Sequence, residues 1–200
     1  IAYEIGYRTQ PVERVSVDIA AFLNDYSHLR SLEPTDPPMQ ATPPPPHIGL
    51  EGDNLIRGET YGFEVGATWH ASEMWRLYGS YSLLRMRLRQ DAGSADPMTV
   101  SQIEGSSPRH QWLLRSSFDL GRQWEWDTWF RFVDELPAQD IDDYLEMDLR
   151  LAWRPNRELT LALVGRNLLE SGHREFAPTF VQTLQAEVAR SFYAKLTWEF

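Results

Sequence analysis

The chain has 200 residues, a net charge of −10, an isoelectric point near 4.9, and eight Trp, eight Tyr and nine Phe. With no Cys, a disulfide scaffold or thiolate metal site is excluded, and the acidic balance argues against nucleic acid as a partner. Mean hydropathy is −0.46 and no run of 18 apolar residues occurs, so no helix is expected to span a membrane. Barrel strands remain possible, because they carry their apolar residues in alternation.

In chain order, residues 1–9 alternate Ile1, Tyr3, Ile5 and Tyr7 against Glu4, Gly6 and Arg8, the period-two pattern of a strand. After a turn near Pro11, Val15, Val17, Ile19 and Ala21 start a second strand that continues to about Tyr26. The stretch from Ser31 to Arg57 holds Pro34, Pro37, Pro38 and the run Pro43 to Pro46, and is expected to be an exposed loop, since proline gives no N–H to a ladder. The third strand, 59–70, sets Tyr61, Phe63, Val65, Ala67 and Trp69 against Gly62, Glu64, Gly66 and Thr68. A short turn at 71–74 leads to a fourth strand, 75–89, and then to a polar loop, 90–108.

A fifth strand over 110–120 turns at Gly121 into a sixth, 124–133, with Trp124, Trp126, Phe130 and Phe132 on one face. The loop 134–143 carries Asp134, Glu135, Asp140, Asp142 and Asp143; it is read as solvated, with a weak calcium site as the sharper option. The seventh strand alternates most cleanly: Leu145, Met147, Leu149, Leu151 and Trp153 oppose Glu146, Asp148 and Arg150. The first set is read as lipid-facing. The second, with Lys195 of the last strand, is read as lumen-facing charge. On alternation alone, Leu149→Arg should cost more than Arg150→Leu. Pro155-Asn156 centres the next turn, and the eighth strand, 159–168, is apolar on both faces, which leaves its orientation open.

A loop over 170–186 leads to the closing stretch, EVARSFYAKLTWEF, where Val188, Phe192, Ala194, Leu196, Trp198 and Phe200 share a face. Arg190 falls on that apolar face and is expected either to reach a lipopolysaccharide phosphate or to be turned aside by a bulge. His28, His47, His70, His110 and His173 lack HxxxH or HExxH spacing, and no GxSxG, P-loop or GxGxxG motif occurs, so no catalytic, cofactor or metal residue is expected.

Short and long connections alternate along the chain, the habit of transmembrane barrels. The fold class expected is all-β, an antiparallel transmembrane β-barrel segment of about nine strands. An odd count makes the first and last strands run the same way, whereas bacterial barrels have even strand numbers. The chain is therefore read as an arc of a larger barrel, a piece of a longer precursor.

The stretches SPRHQWLLRSSFDL, YLEMDLRLAWRPNRELTLALVGRNLLESGHREF and EVARSFYAKLTWEF resemble the C-terminal part of a TonB-dependent outer-membrane receptor. In the second, the NLL, a following acid, then His and Glu-Phe look like that family's last hairpin. The resemblance implies a 22-stranded barrel in the bacterial outer membrane, of which residues 1–200 form the C-terminal part, with the plug domain and N-terminal strands outside this chain. It implies Phe192, Leu196, Trp198 and Phe200 as the barrel-assembly signal. It also implies a transport receptor rather than an enzyme, with outer-membrane lipid and lipopolysaccharide, TonB (through the missing N-terminal region) and a ferric-siderophore-type ligand as partners and no cofactor. A passive porin-like or structural barrel is the alternative.

Overall fold

The structure is a computed structural model, and it describes residues 1–41, 45–177, 184 and 186–200. Nine strands form one antiparallel sheet: β1 (Ala2–Val12), β2 (Val15–Gln40), β3 (His47–His70), β4 (Trp75–Gln90), β5 (His110–Leu120), β6 (Trp124–Val133), β7 (Tyr144–Trp153), β8 (Leu159–Arg166) and β11 (Ser191–Trp198). Each strand pairs with its neighbour in sequence, except that β11 pairs with β8 across a small ribbon of β9 (Gly172–Arg174) and β10 (Glu187–Ala189). The edges of the large sheet are β1 and β11. The short connections, 13–14, 71–74, 121–123 and 154–158, share one end, and the long ones share the other.

Period-two alternation sets the register, because a slip of one residue would exchange the faces. Phe63, Tyr81, Trp112 and Phe132 fall on one face, as do Leu145, Met147, Leu149, Leu151 and Trp153. Cross-strand aromatic pairs knit this face: Phe63 with Tyr81 at 5.6 Å, Trp112 stacked on Phe132 at 5.9 Å, and Trp124 stacked on Trp153 at 5.9 Å. Toward the short-turn end, Trp69, Trp75, Phe118, Trp124 and Trp153 line up across five strands as an aromatic belt. Much of this face is exposed (Leu163 at 64%, Phe192 at 72%, Leu196 at 64%), more apolar surface than a sheet in water leaves uncovered. The strand pairing also settles β8. Leu161, Leu163 and Gly165 join Leu149 and Trp153, while Ala162 is buried opposite Ala152.

Glycine is needed at three positions of the ladder, and Gly58, whose Cβ would meet the Arg87 carbonyl and Leu88, is the first. A Cβ on Gly62 would meet the Leu83 carbonyl at 1.9 Å and the Phe22 ring at 2.9 Å. One on Gly165 would meet Leu168 at 2.9 Å and the Phe192 ring at 3.0 Å. The turn at Pro155-Asn156 holds as expected: Asn156 Oδ1 accepts the N–H groups of Glu158 (3.0 Å) and Leu159 (2.8 Å).

Three expectations are corrected. Most of the stretch 31–57, over 31–40 and 47–57, is not a loop but an extension of β2 and β3, with Ser31 opposite Asp53 and Glu33 opposite Glu51. Its prolines are accommodated because Pro37 and Pro38 lie in a register shift between Pro34 and Met39, where no ladder N–H is required. Of the proline run, Pro43 and Pro44 lie outside the described residues. The polar loop 90–108 contains a helix, α1 (Thr99–Glu104). The closing strand is interrupted at Arg190, whose Nε donates to the carbonyls of Glu170 (3.1 Å) and Asn167 (3.4 Å). Its guanidinium therefore caps a turn and does not stand free on the apolar face.

Candidate functional site

The second face of the sheet is polar and hollow. Arg8, Asp18, Glu64, Tyr78, Ser80 and Gln111 line a concavity of about 680 Å³ that spans β1 to β6. Beyond it, Trp129, Glu146, Asp148, Arg150 and Arg166 line a second, of about 520 Å³. Between them the charges form a ladder across β5 to β8. Asp127 accepts from Ser117 Oγ (2.6 Å) and from Arg150 (2.8 Å), with Arg115 at 3.5 Å. Arg150 also reaches Glu125 (3.1 Å), which bridges Arg154 (2.8 Å); Arg115 lies over the Trp129 ring at 5.1 Å. Asp127 is only 6% exposed, so its charge depends on these partners.

At the long-loop end a compact cluster closes the polar face. Arg131 Nε donates to Glu146 Oε2 (2.9 Å), and its guanidinium also bridges Glu175. Tyr144 Oη donates to Glu175 Oε1 (3.1 Å), and the His173 ring stacks on Tyr144 at 4.0 Å. Asn167, left-handed at φ 49°, turns the chain out of β8; its N–H donates to Asp148 (2.9 Å) and its side-chain amide donates to the Val188 carbonyl (2.8 Å). The family-like run from Asn167 through Glu170 to His173 and Glu175 is thus the segment folded back over the ends of β6 and β7.

Glu146, His173 and Glu175 present donor atoms within 4.8 Å of one another, a spacing suited to a metal ion. Arg131 already bridges both carboxylates, so the cluster carries its own cation. The acidic loop 134–143 forms no such group among the described residues. It is folded by a bridge between Leu136 and Ile141, which pack with Ala177 in a small buried core. His110 bonds Tyr81 Oη (2.7 Å) on the apolar face, and His47 stands exposed at the tip of the β2–β3 extension.

The connection from β4 to β5 braces that extension. Asp96, 2% exposed, accepts the N–H groups of Leu32 (2.6 Å), Thr99 (2.8 Å) and Met98 (3.0 Å). Burial alone would push its carboxyl up, but the Thr99 side chain and these three N–H groups outweigh it and hold the pKa at about 2. Glu33 accepts from Ser94 Oγ (2.8 Å) and the Ala95 N–H (2.6 Å), and Arg57 pairs with Asp91 (3.1 Å).

Sequence alone pointed to Glu146, Asp148 and Arg150, which the structure places on the polar face within the charge ladder and the loop-end cluster. Lys195 shares their face, opposite Ala162. It placed Arg131 on the polar face but did not bring it together with Tyr144 and Glu175, and it did not point to Asp96. The available signal was an Arg of β6 and a Glu of β7 on one face of the sheet, both near the long-loop end.

An apolar face banded by aromatics, a hollow polar face and strictly alternating connection lengths define an arc of a membrane-spanning β-barrel. Residues 1–168 match the family model described as TonB dependent receptor-like, beta-barrel, and the chain belongs to that family. It is an outer-membrane protein. The siderophore receptor PiuA from Acinetobacter baumannii is similar in structure at TM-score 0.73 and 16% identity, over 98% of this chain and 28% of that one. The FrpB iron transporter from Neisseria meningitidis (F3-3 variant) is similar at 0.71 and 14%, over 100% and 31%. The copper transporter OprC is similar at 0.68 and 12%, over 100% and 32%. The chain thus spans less than a third of these structures. No curated protein matches it in sequence.

Proposed function

We propose that residues 1–200 are the C-terminal part of the barrel of an energy-coupled outer-membrane receptor for a scarce ligand, a ferric siderophore in the first instance. The observation that carries this reading is the family match over residues 1–168. Likeness in fold to the siderophore receptor PiuA and the FrpB iron transporter supports the choice of ligand. A plug domain and a TonB-contacting segment would belong to the remainder of the protein. The hollow polar face, with Glu146, Asp148, Arg150 and Lys195, would line the lumen around the plug. Leu145, Met147, Leu149, Leu151 and Trp153 would meet lipid. Phe192, Leu196, Trp198 and Phe200 would serve as the assembly signal. The β2–β3 extension, α1 and the Arg131 cluster share the long-loop end, where an arriving ligand would first be held.

The test is growth and radiolabelled-iron uptake on a panel of ferric chelates, in cells whose only receptor is the full-length protein, with and without TonB. The expected result is TonB-dependent uptake of at least one chelate. Solute uptake that is indifferent to TonB would replace this reading with the passive barrel. TonB-dependent uptake of a chelate-free metal or of a cobalamin alone would keep the receptor and change its ligand.

A further inference from the structure

Of the three buried carboxylates among the described residues, Asp96, Asp127 and Glu146, two have both oxygens engaged. Asp96 accepts at Oδ1 from the Met98 and Thr99 N–H groups and at Oδ2 from Leu32; Asp127 accepts at Oδ1 from Ser117 and at Oδ2 from Arg150. Glu146, 4% exposed, is the exception. Its Oε2 accepts from Arg131, and its Oε1 is buried with no hydrogen-bond partner among the described residues. Asn167, fully buried, leaves its Oδ1 in the same state. A buried acceptor without a donor has given up its hydration for nothing in return.

Both residues neighbour His173, whose side chain is 7% exposed. Donor atoms of Glu146, His173 and Glu175 lie within 4.8 Å of one another, and Asn167 Nδ2 is 3.3 Å from His173 Nδ1. Glu175 Oε1 is 3.3 Å from His173 Nε2, and Glu170 Oε2 is 3.9 Å from Nδ1. Three carboxylates thus surround one imidazole. Among the described residues Arg131 is the one guanidinium that bridges any of them. Arg190 turns instead to the backbone carbonyls of Asn167 and Glu170, and Arg166 is paired with Asp148. The cluster is left short of two positive charges, the charge of one divalent cation.

We infer that Glu146, His173 and Glu175 bind a borderline divalent cation, Zn²⁺ in chemistry, which pins the segment 167–175 over the ends of β6 and β7. One imidazole with two carboxylates suits zinc, whereas calcium and magnesium take shells of oxygen. Two ligands on a tetrahedral zinc stand about 3.4 Å apart, given bonds of ~2.0–2.2 Å. His173 Nε2 and Glu175 Oε1 are already at 3.3 Å, and Glu146 has about an ångström to draw in. Glu146 Oε1 supplies the third ligand while Oε2 stays with Arg131, so guanidinium and ion share the carboxylate without competing for one oxygen. Glu170, beyond Nδ1, stands where an outer carboxylate orients a metal-bound imidazole. A water on the ion would donate to Asn167 Oδ1. The ion would be a fixture of the fold, whichever ligand crosses the barrel.

The experiment uses tag-free full-length protein in detergent micelles, stripped with a chelator and titrated with Zn²⁺ alone by calorimetry. Saturable binding is expected, with one equivalent weakened about tenfold or more by His173→Gln and by Glu146→Gln. The control, Asp142→Asn with Asp143→Asn in the acidic loop, should leave that equivalent unchanged. A measurement on the native protein needs no variant to fold: Zn²⁺ should slow hydrogen exchange across 167–175, and Ca²⁺ at the same concentration should not. Absence of saturable binding, undiminished binding by His173→Gln, or loss of the equivalent in the acidic-loop control would each overturn the assignment. So would Zn²⁺ that binds the native protein and leaves exchange over 167–175 as it was, or Ca²⁺ that slows it equally.

Discussion

Placing an arginine at Leu149 tests the assignment of faces at its most sensitive point. Leu149 is the middle residue of the stripe from Leu145 to Trp153, four residues from either end. At ~3.4 Å per residue and a tilt of ~40°, each end lies ~10 Å away along the membrane normal, which puts Leu149 near the middle of the band. Its neighbours across the ladder, Thr128 and Gly165, offer no counter-charge. An arginine there has too little reach to bring its head to either interface, and Leu149→Arg is expected to cost about 2–4 kcal/mol. The matched control is Ser80→Arg, which projects into the concavity that also holds Asp18 and Glu64 and should change stability by less than about 1 kcal/mol. Both variants of the full-length protein would be unfolded reversibly in lipid vesicles, and their outer-membrane assembly followed by heat-modifiable mobility. If Leu149→Arg lies within about 0.5 kcal/mol of the native protein, or Ser80→Arg is the more damaging, the faces have been assigned the wrong way round.

Three further outcomes follow from particular contacts. Arg150→Leu removes two of the bonds that hold the Glu125–Asp127 pair and leaves a 6%-exposed carboxylate to Ser117 and Arg115, so a loss of about 3–5 kcal/mol is expected in the same unfolding assay. Gly62→Ala drives a methyl into the Leu83 carbonyl and should cost at least about 1–3 kcal/mol, visible as faster hydrogen exchange along β3 and β4. Asp96 has a folded pKa depressed to about 2 from an ordinary value of 3.8, so its bracing is complete above about pH 4 and is lost as pH falls toward 2. Proteolysis of the connection 91–109 should rise across that window in the native protein, and Asp96→Asn should be cleaved readily at neutral pH, because an amide would meet the Leu32 N–H donor to donor.

What could be read in advance, and what could not, divides along the chain by the range of the interaction. Strands three to seven were legible because one apolar and one polar face leave a period of two in the residues themselves, and Pro155-Asn156 or Gly121 mark turns chemically. The β2–β3 extension was not, because a proline says only that an N–H is missing, and whether the ladder needed that N–H depends on a partner strand about twenty residues away. The orientation of β8 was hidden for the opposite reason: its apolar residues lie on both faces, and only the burial of Ala162 against Ala152 tells them apart. The loop-end cluster is assembled from positions 131, 144, 146, 173 and 175, three segments that meet only after β6, β7 and β9 are in place.

The contacts of Arg150 argue against the tolerance of Arg150→Leu that alternation suggests, by the same logic. Alternation assigns a face, and a face with many acids and arginines looks forgiving until the hydrogen bonds show that this guanidinium holds two carboxylates, one of them buried. Charge on the polar face is therefore structural wherever it is paired.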